Sequence, residues 1–368
     1  MSEPRLAHRY GRLLSDFEKG ATYEHPWEVT VDGGTIALFQ ASFLDASPMF
    51  ASDAFARAYG FEERPLHPLL CLNLGLSFSV HDVSEQAIAH LAYIDVRFPE
   101  AGYPGDTVSA RSTVLDVKPS SSGDKGVVHV RTLLTNDKGA VLCAFERKAL
   151  IRAGKLDSRP KEPYANSGTT ADVKTMERLP APLRQSHKPQ TRAGGFGGFF
   201  DDFSVGQVYL HEVGKTVGES EHMQLTSLVR NSHPLHFDEL YCKDNSFAKT
   251  RVVYGGLVFA WVATLASRDV GGNTLWELGY DAGAHPNGVV AGDTLYAASK
   301  VLAVKDHGAA GEVTFRLVGV KNRTSAAAFA EHGDALFTDE LSKPKGEATN
   351  KLKDKVFEIT RTAYVRKR

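Results

Sequence analysis

The stretch Ala21–Thr30 alternates apolar and polar side chains with the period of a half-buried strand, and Gln207–Val217 does the same. Each is followed by a segment with helical spacing, Thr35–Phe43 and Glu219–Arg230. A long apolar run comes next in each half, Leu66–Ser79 and Val252–Ser267, and its length predicts a buried helix. The remainder of each half reads as strands. Ala92–Phe98 leads through a Gly105-Asp106 turn into Val108–Val117, then Val127–Thr135 and Val141–Arg152. In the second half Gly292-Asp293 precedes Leu295–Val304, and Glu312–Val320 and Val356–Val365 complete the series. A buried helix wrapped by an antiparallel sheet, an α+β arrangement, is therefore predicted twice.

The two halves are copies. Laid over one another at an offset of 186, Asp16-Phe17 falls on Asp202-Phe203, His25 on His211 and Pro48 on Pro234. After a one-residue slip the offset is 187, and Tyr93 falls on Tyr280 and Gly105-Asp106-Thr107 on Gly292-Asp293-Thr294. A repeat of this length predicts two similar domains paired about a pseudo-twofold axis. We divide the chain into a first domain at 1–152, a Pro/Gly/Ser-rich linker at 153–198 and a second domain at 199–368. The second copy carries a largely polar insert, Lys321–Leu352, read as a surface excursion.

Composition narrows the function. The chain has 368 residues, 42% hydrophobic and 24% charged, as expected of a soluble globular protein. A net charge of −1 offers no field to attract nucleic acid or an anionic membrane. Cys71, Cys143 and Cys242 are scattered without metal or redox spacing, which suggests reduced thiols and a cytoplasmic location. Neither an apolar leader at the N-terminus nor a stretch of membrane-spanning length is evident.

The copies differ most at Asn231-Ser232-His233-Pro234-Leu235-His236, which overlies Asp45-Ala46-Ser47-Pro48-Met49-Phe50. Two histidines beside a proline turn can simply satisfy local hydrogen bonds. A zinc site would need further ligands, and only Asp238 lies near, so no metal is expected. The segment Arg251-Val252-Val253-Tyr254-Gly255-Gly256 favours catalysis. Two glycines at a helix start expose backbone N–H groups at the positive end of the helix, suited to an oxygen that becomes an oxyanion. The first copy has Pro68-Leu69-Leu70 there, whose side chains would block that approach. Only the second copy combines the turn imidazoles with an open helix.

The Pro-x-His turn, the Val-Val-x-Gly helix start and the Gly-Asp-Thr-Leu hairpin together resemble the MaoC-like hotdog hydratases. The similarity covers both halves and is closest at 202–305. Three finer stretches, Ser52–Ala58, Tyr103–Asp106 and Arg230–Asp238, are similar to the double-hotdog branch that hydrates mesaconyl-CoA to β-methylmalyl-CoA. The resemblance implies tandem hotdog domains paired as a pseudo-dimer, with a coenzyme A thioester along their interface and no separate cofactor. It also implies an acyl-CoA hydro-lyase working as a homo-oligomer. The chain departs from the family's Asp-x-Asn-Pro-aliphatic-His signature: Asn231 stands for its Asp and His233 for its Asn, and Tyr254 replaces the helix-start His. In the first copy Asp45 is kept, but Phe50 replaces the His.

On this reading His236 is the general base for water, its ordinary pKa near 6.5 suiting proton transfer near neutrality. Gly255, with Gly256, holds the thioester oxygen. His233 donates the second proton or orients the water, and Asn231 holds that water. Tyr254 contacts substrate, and Arg230 or Arg251 meets the free carboxylate of a mesaconyl group. Two other functions remain open: a hotdog thioesterase using Asp238 or Glu239, and a silent acyl-CoA-binding protein.

Overall fold

Helices as apolar as Leu66–Ser79 and Val252–Ser267 can exist in water only if something wraps them completely. The computed structural model, which describes residues 11–156, 170–185, 196–340 and 351–368, shows what does so. In the first half β1 (Thr22–Thr30) is followed by α1 (Gly33–Phe43), α2 (Asp53–Ala58) and the central α3 (Pro68–Phe78). Then come β2 (Ala87–Arg97), β3 (Thr107–Pro119), β4 (Lys125–Asn136) and β5 (Val141–Arg152). The second half opens with β6 (Val208–Leu210), β7 (Lys215–Thr216), α4 (Glu219–Leu228) and α5 (Glu239–Asn245), before the central α6 (Gly255–Leu265) and α7 (Ser267–Val270). It ends with β8 (Thr274–Ala284), β9 (Thr294–Asp306), β10 (Ala310–Lys321), α8 (Ser325–His332) and β11 (Lys355–Arg366).

Each half curls an antiparallel sheet around its central helix, and the two sheets fuse into one. The order is β1-β3-β4-β5-β2-β8-β11-β10-β9-β6, with β7 also on β9. The join is the β2–β8 pair, where Tyr93 lies opposite Gly283 and Val96 opposite Tyr280. Inside, α3 and α6 touch, and a single core runs from Leu72 and Phe78 through Leu257 and Trp261 to Phe315 and Phe357. The helices approach closely because position 256 is glycine. A Cβ there would lie 2.0 Å from Asn73 Oδ1 and 2.6 Å from the Tyr254 ring. Asn73 Nδ2 instead donates to the Gly256 carbonyl at 3.3 Å and to the Leu69 carbonyl at 2.8 Å.

The repeat persists in detail. His25 bridges Asp82 (2.9 Å) and Ser112 (2.7 Å); its counterpart His211 bridges Asp269 (2.6 Å) and Ser299 (3.0 Å). The Gly-Asp turns match too, with Gly105 and Gly292 at φ +92 and +90, where a side chain would be strained.

Three expectations need correction. The strand read over Gln207–Val217 is broken into β6 and β7, each paired with β9, and between them the Tyr296 ring packs against Gly214. The insert is more than a surface excursion: Ala328, Leu336 and Phe337 are buried against Ala298, Val318 and Val320, roofing the outer face of β9 and β10. Its residues 341–350 lie outside the described residues. Finally, α3 starts at Pro68 and α6 at Gly255, so the one-residue slip precedes the central helices. Tyr254 therefore corresponds to His67, and Gly255-Gly256 to Pro68-Leu69. Of the linker, 153–156, 170–185 and 196–198 are described, and Val173 packs onto Leu133 and Ala144.

The closeness of α3 and α6 predicts that Gly256→Ala lowers stability by about 1–3 kcal/mol, the usual cost of overpacking. A thermal melt indistinguishable from the parent protein's would show that the helix contact is looser than drawn.

Candidate active site

A cavity of about 260 Å³ opens where the two halves meet. The second half contributes Asn231, His233, His236, Tyr254, Gly255 and His285 to its wall; the first contributes Ala89, His90, Tyr93 and Arg147. The chain reaches this arrangement through a tight turn. Asn231 Oδ1 accepts from the His233 N–H at 3.0 Å, His233 caps the one-turn 3-10 helix Pro234–His236, and Pro234 occupies its first position. From the first half, Glu85 accepts a hydrogen bond from Ser232 Oγ at 2.6 Å and pins the turn to its partner domain.

The two turn histidines sit in different states. His236 Nδ1 donates to the Val252 carbonyl at 2.7 Å, which fixes the proton on Nδ1 and leaves the Nε2 lone pair for the cavity. His233 Nδ1 accepts from the Leu235 N–H at 3.1 Å, so its proton lies on Nε2, bonded to the Ala87 backbone. Both of His233's nitrogens are thus committed to structure. Burial pulls the pKa of His233 down to about 4 and that of His236 to about 3, the charge of His233 adding to the second. The ordinary value near 6.5 assumed from sequence does not hold: both rings are neutral at pH 7.

The two central helices open differently. Tyr254 gives α6 no side-chain cap, leaving the Gly255 and Gly256 N–H groups uncapped. In α3, Pro68 has no N–H, and the Leu69 N–H is consumed by His67 Nδ1 at 3.0 Å. The first copy therefore lacks the free helix-start N–H groups of the second. Its pseudo-site is also full: Phe50 lies against His67 (4.7 Å between rings) and Trp276 (5.9 Å), and Phe61 stacks on Trp276 (5.8 Å). Asp45 still reaches His67 Nε2 at 3.3 Å, and His67 is buried against Phe50. Trp276 corresponds by the repeat to Ala89, which lines the open cavity, so one substitution fills one site and empties the other.

Other predicted residues are placed as follows. Tyr254, its pKa raised to about 12 by burial, accepts from Ser77 Oγ at 3.4 Å and hydrogen-bonds Asn231. Gly255 lines the cavity, and a Cβ on it would meet His285 Nε2 at 2.8 Å. Gly256 lies behind the wall, against Asn73. Arg230 and Arg251 do not line the cavity: Arg230 is an exposed turn residue at φ +63, and Arg251 pairs with Glu219 and Glu239. Four wall residues were missed from sequence: His90, Tyr93, Arg147 and His285. Among the described residues no group of three His, Cys, Asp or Glu forms a metal site, and no helix is long and apolar enough to cross a membrane.

Sheet-wrapped helices in tandem, with an uncapped helix end facing imidazole, define a double-hotdog protein of the MaoC type. Among solved structures, a MaoC domain protein of Chloroflexus aurantiacus J-10-fl superposes with a TM-score of 0.79 at 26% identity, covering 97% of this chain and 98% of that one. A double-hotdog protein of Mycobacterium tuberculosis gives 0.69 at 21% identity, a likeness of fold, over 96% and 98% of the chains. The family model for mesaconyl-CoA hydratase matches residues 5–336. A mesaconyl-CoA hydratase from Cereibacter sphaeroides is 34% identical over 85% of this chain and 90% of its own. A beta-methylmalyl-CoA dehydratase from Chloroflexus aurantiacus is 31% identical over 85% and 89%. This chain belongs to the mesaconyl-CoA hydratase family.

The neutral histidines have a consequence for stability. His233, His236 and His285 fold with pKa values of about 4, 3 and 4, each lowered by burial, and unfold to about 6.5. Below 6.5 the unfolded chain binds protons that the folded chain refuses, so stability falls with pH through the window from about 6.5 to 4. Each histidine contributes at most about 1.4 kcal/mol per pH unit. Urea denaturation at pH 7.5, 6.5 and 5.5 should show this loss, and His236→Gln should reduce its slope. A profile flat between 6.5 and 5.5 would mean that these imidazoles are solvated.

Proposed function

We propose that this chain is a hydro-lyase that reversibly hydrates mesaconyl-CoA to β-methylmalyl-CoA, using no resident cofactor. The carrying observation is the free Nε2 of His236 beside the uncapped start of α6. Family membership supports the substrate, and the neutral His236 ring supports the chemistry. We further propose that it works in the cytoplasm as a homo-oligomer.

Hydration needs a base for water, a site for the enolate oxygen and a proton for the α-carbon. His236 Nε2 accepts a proton from water as the water oxygen bonds to the β-carbon. Electron density moves to the thioester oxygen, which receives the Gly255 N–H and the positive end of α6. The imidazolium formed at His236 then returns its proton to the α-carbon, so H and OH are added and the base is regenerated. In this scheme Asn231 and His233 hold the turn and Tyr254, and His236 alone carries protons.

Geometry disfavours the rivals. A thioesterase carboxylate is not at hand, since Asp238 is exposed and caps α5 through the Tyr241 N–H (3.0 Å), and Glu239 pairs with Arg251. A silent binder would not need the filled and open sites to diverge in helix donors as well as in shape.

His236→Ala is expected to lower hydration of mesaconyl-CoA by at least about 100-fold, the scale of lost acid–base catalysis. Asp45→Asn should leave it near the parent rate. Equal losses in steady-state assays would make the Asp45–His67 pair part of the working site. The oxyanion donor can be removed by copying the first helix, because proline is tolerated at a first helical position. In a His285→Ala background, which makes room for the ring, Gly255→Pro should cost about 100–1,000-fold in turnover relative to Gly255→Ala. Similar rates for the two would place the thioester oxygen elsewhere.

A further inference from the structure

Arg147 is buried, 3% exposed, and it lines the cavity. Its hydrogen bonds are all to neutral groups: Nη1 donates to Ser84 Oγ at 3.2 Å, and Nη2 to Ser79 Oγ at 2.8 Å and to the Ser79 carbonyl at 3.5 Å. Nε is buried without an acceptor, and among the described residues no carboxylate pairs with it. Burial lowers its pKa to about 10, which still leaves it a cation at pH 7. A desolvated guanidinium with no counter-charge is costly, and one facing a cavity is a receptor for an anion.

The pseudo-symmetric half shows how the same arginine behaves when it has no such task. Arg147 on β5 lies opposite Tyr93 on β2; Arg361 on β11 lies opposite Tyr280 on β8. Two residues further along each ladder, Ala149 is near His90 and Ala363 is opposite Glu277. Arg361 is clasped by Glu277 through two bonds, Nε at 3.0 Å and Nη2 at 2.5 Å. The position equivalent to Glu277 in the open site is His90, whose ring nitrogens are both buried without partners. Burial and the charge of Arg147 hold that ring neutral. The filled site has an internal counter-ion, and the open site has lost it.

We infer that Arg147 binds the free carboxylate of the substrate, so that the site selects coenzyme A monothioesters of unsaturated dicarboxylic acids over uncharged enoyl-CoAs. This rests on the hydratase reading above and supplies the cation that it requires. The planar guanidinium can meet a carboxylate through paired N–H groups, which a point charge cannot do.

The test compares charged and uncharged acyl groups on the full chain. Arg147→Met should lower kcat/KM for mesaconyl-CoA relative to crotonyl-CoA by at least about 100-fold, since a site built around a polar partner discriminates strongly. Arg147→Lys should restore part of that ratio. His90→Glu, which installs the counter-ion of the filled site without touching Arg147, should depress the same ratio. Binding separates this inference from the reaction: by calorimetry the parent protein should prefer succinyl-CoA to butyryl-CoA, and Arg147→Met should lose the preference. A folded Arg147→Met protein with an unchanged ratio in both experiments would overturn the assignment. Parent protein that prefers succinyl-CoA but does not hydrate mesaconyl-CoA would overturn the proposed reaction and leave the carboxylate receptor standing.

Discussion

Everything in this molecule depends on the antiparallel pairing of β2 with β8. A central helix such as α3, buried along its whole length, cannot be covered by one half-sheet, because a curled sheet of four or five strands leaves an open edge. Joining the two edges closes both wraps at once and brings α3 against α6. Because the join is pseudo-twofold, it creates two equivalent crevices, and each is walled by both halves. The cavity beside α6 therefore takes His236 and the uncapped helix start from one copy, and Ala89, His90, Tyr93 and Arg147 from the other. A single hotdog half would hold only one of these two sets.

Duplication allowed the crevices to diverge without disturbing the join. In the filled crevice Trp276, Phe50 and Phe61 occupy the volume that the other crevice leaves open, while Pro68 and His67 remove the helix donors. Large aromatic side chains bury much apolar area, so this filling stabilises the interface that the open crevice weakens. The open crevice holds histidines whose charged forms are suppressed by burial, together with a buried cation. Such an arrangement survives because the rest of the fold over-determines it.

Much of this was legible in the sequence, because the signals were local or periodic. The strands of both halves, the two central helices and the repeat follow from apolar spacing and from matched turns such as Gly105-Asp106 and Gly292-Asp293. The site's second-half residues were visible as a departure between copies at Asn231–His236 and Gly255. What could not be read was contact across the pseudo-twofold. Arg147 and Arg361 occupy equivalent ladder positions, but the insert before β11 destroys any fixed sequence offset between them. His90 sits at the offset from Glu277 that the repeat does provide, yet a neutral ring in place of a carboxylate has meaning only once both are seen beside an arginine. Sequence reasoning therefore assigned the carboxylate-binding role to Arg230 and Arg251, the basic residues nearest the motif along the chain. The structure turns Arg230 outward on a turn and gives Arg251 to Glu219 and Glu239. The pKa of His236 was invisible for the same reason, since it is set by the packing around the ring.

The filled crevice serves as an internal reference for the open one. Both crevices keep the same ladder pair, Tyr93 with Arg147 and Tyr280 with Arg361, so what distinguishes the two arginines is what surrounds each. Where they differ, the chemistry of the two crevices differs: Glu277 against His90, Trp276 against Ala89, Pro68 against Gly255. The first two take a counter-ion and a ring out of the open crevice, and the third gives it free helix-start N–H groups. Charge, volume and hydrogen-bonding capacity are altered at the same place in the same chain. Loss of packing alone would empty a crevice, but it would not leave a buried arginine without its carboxylate. A guest that is anionic, fills the volume of an indole and offers an oxygen to the start of α6 would answer all three changes at once.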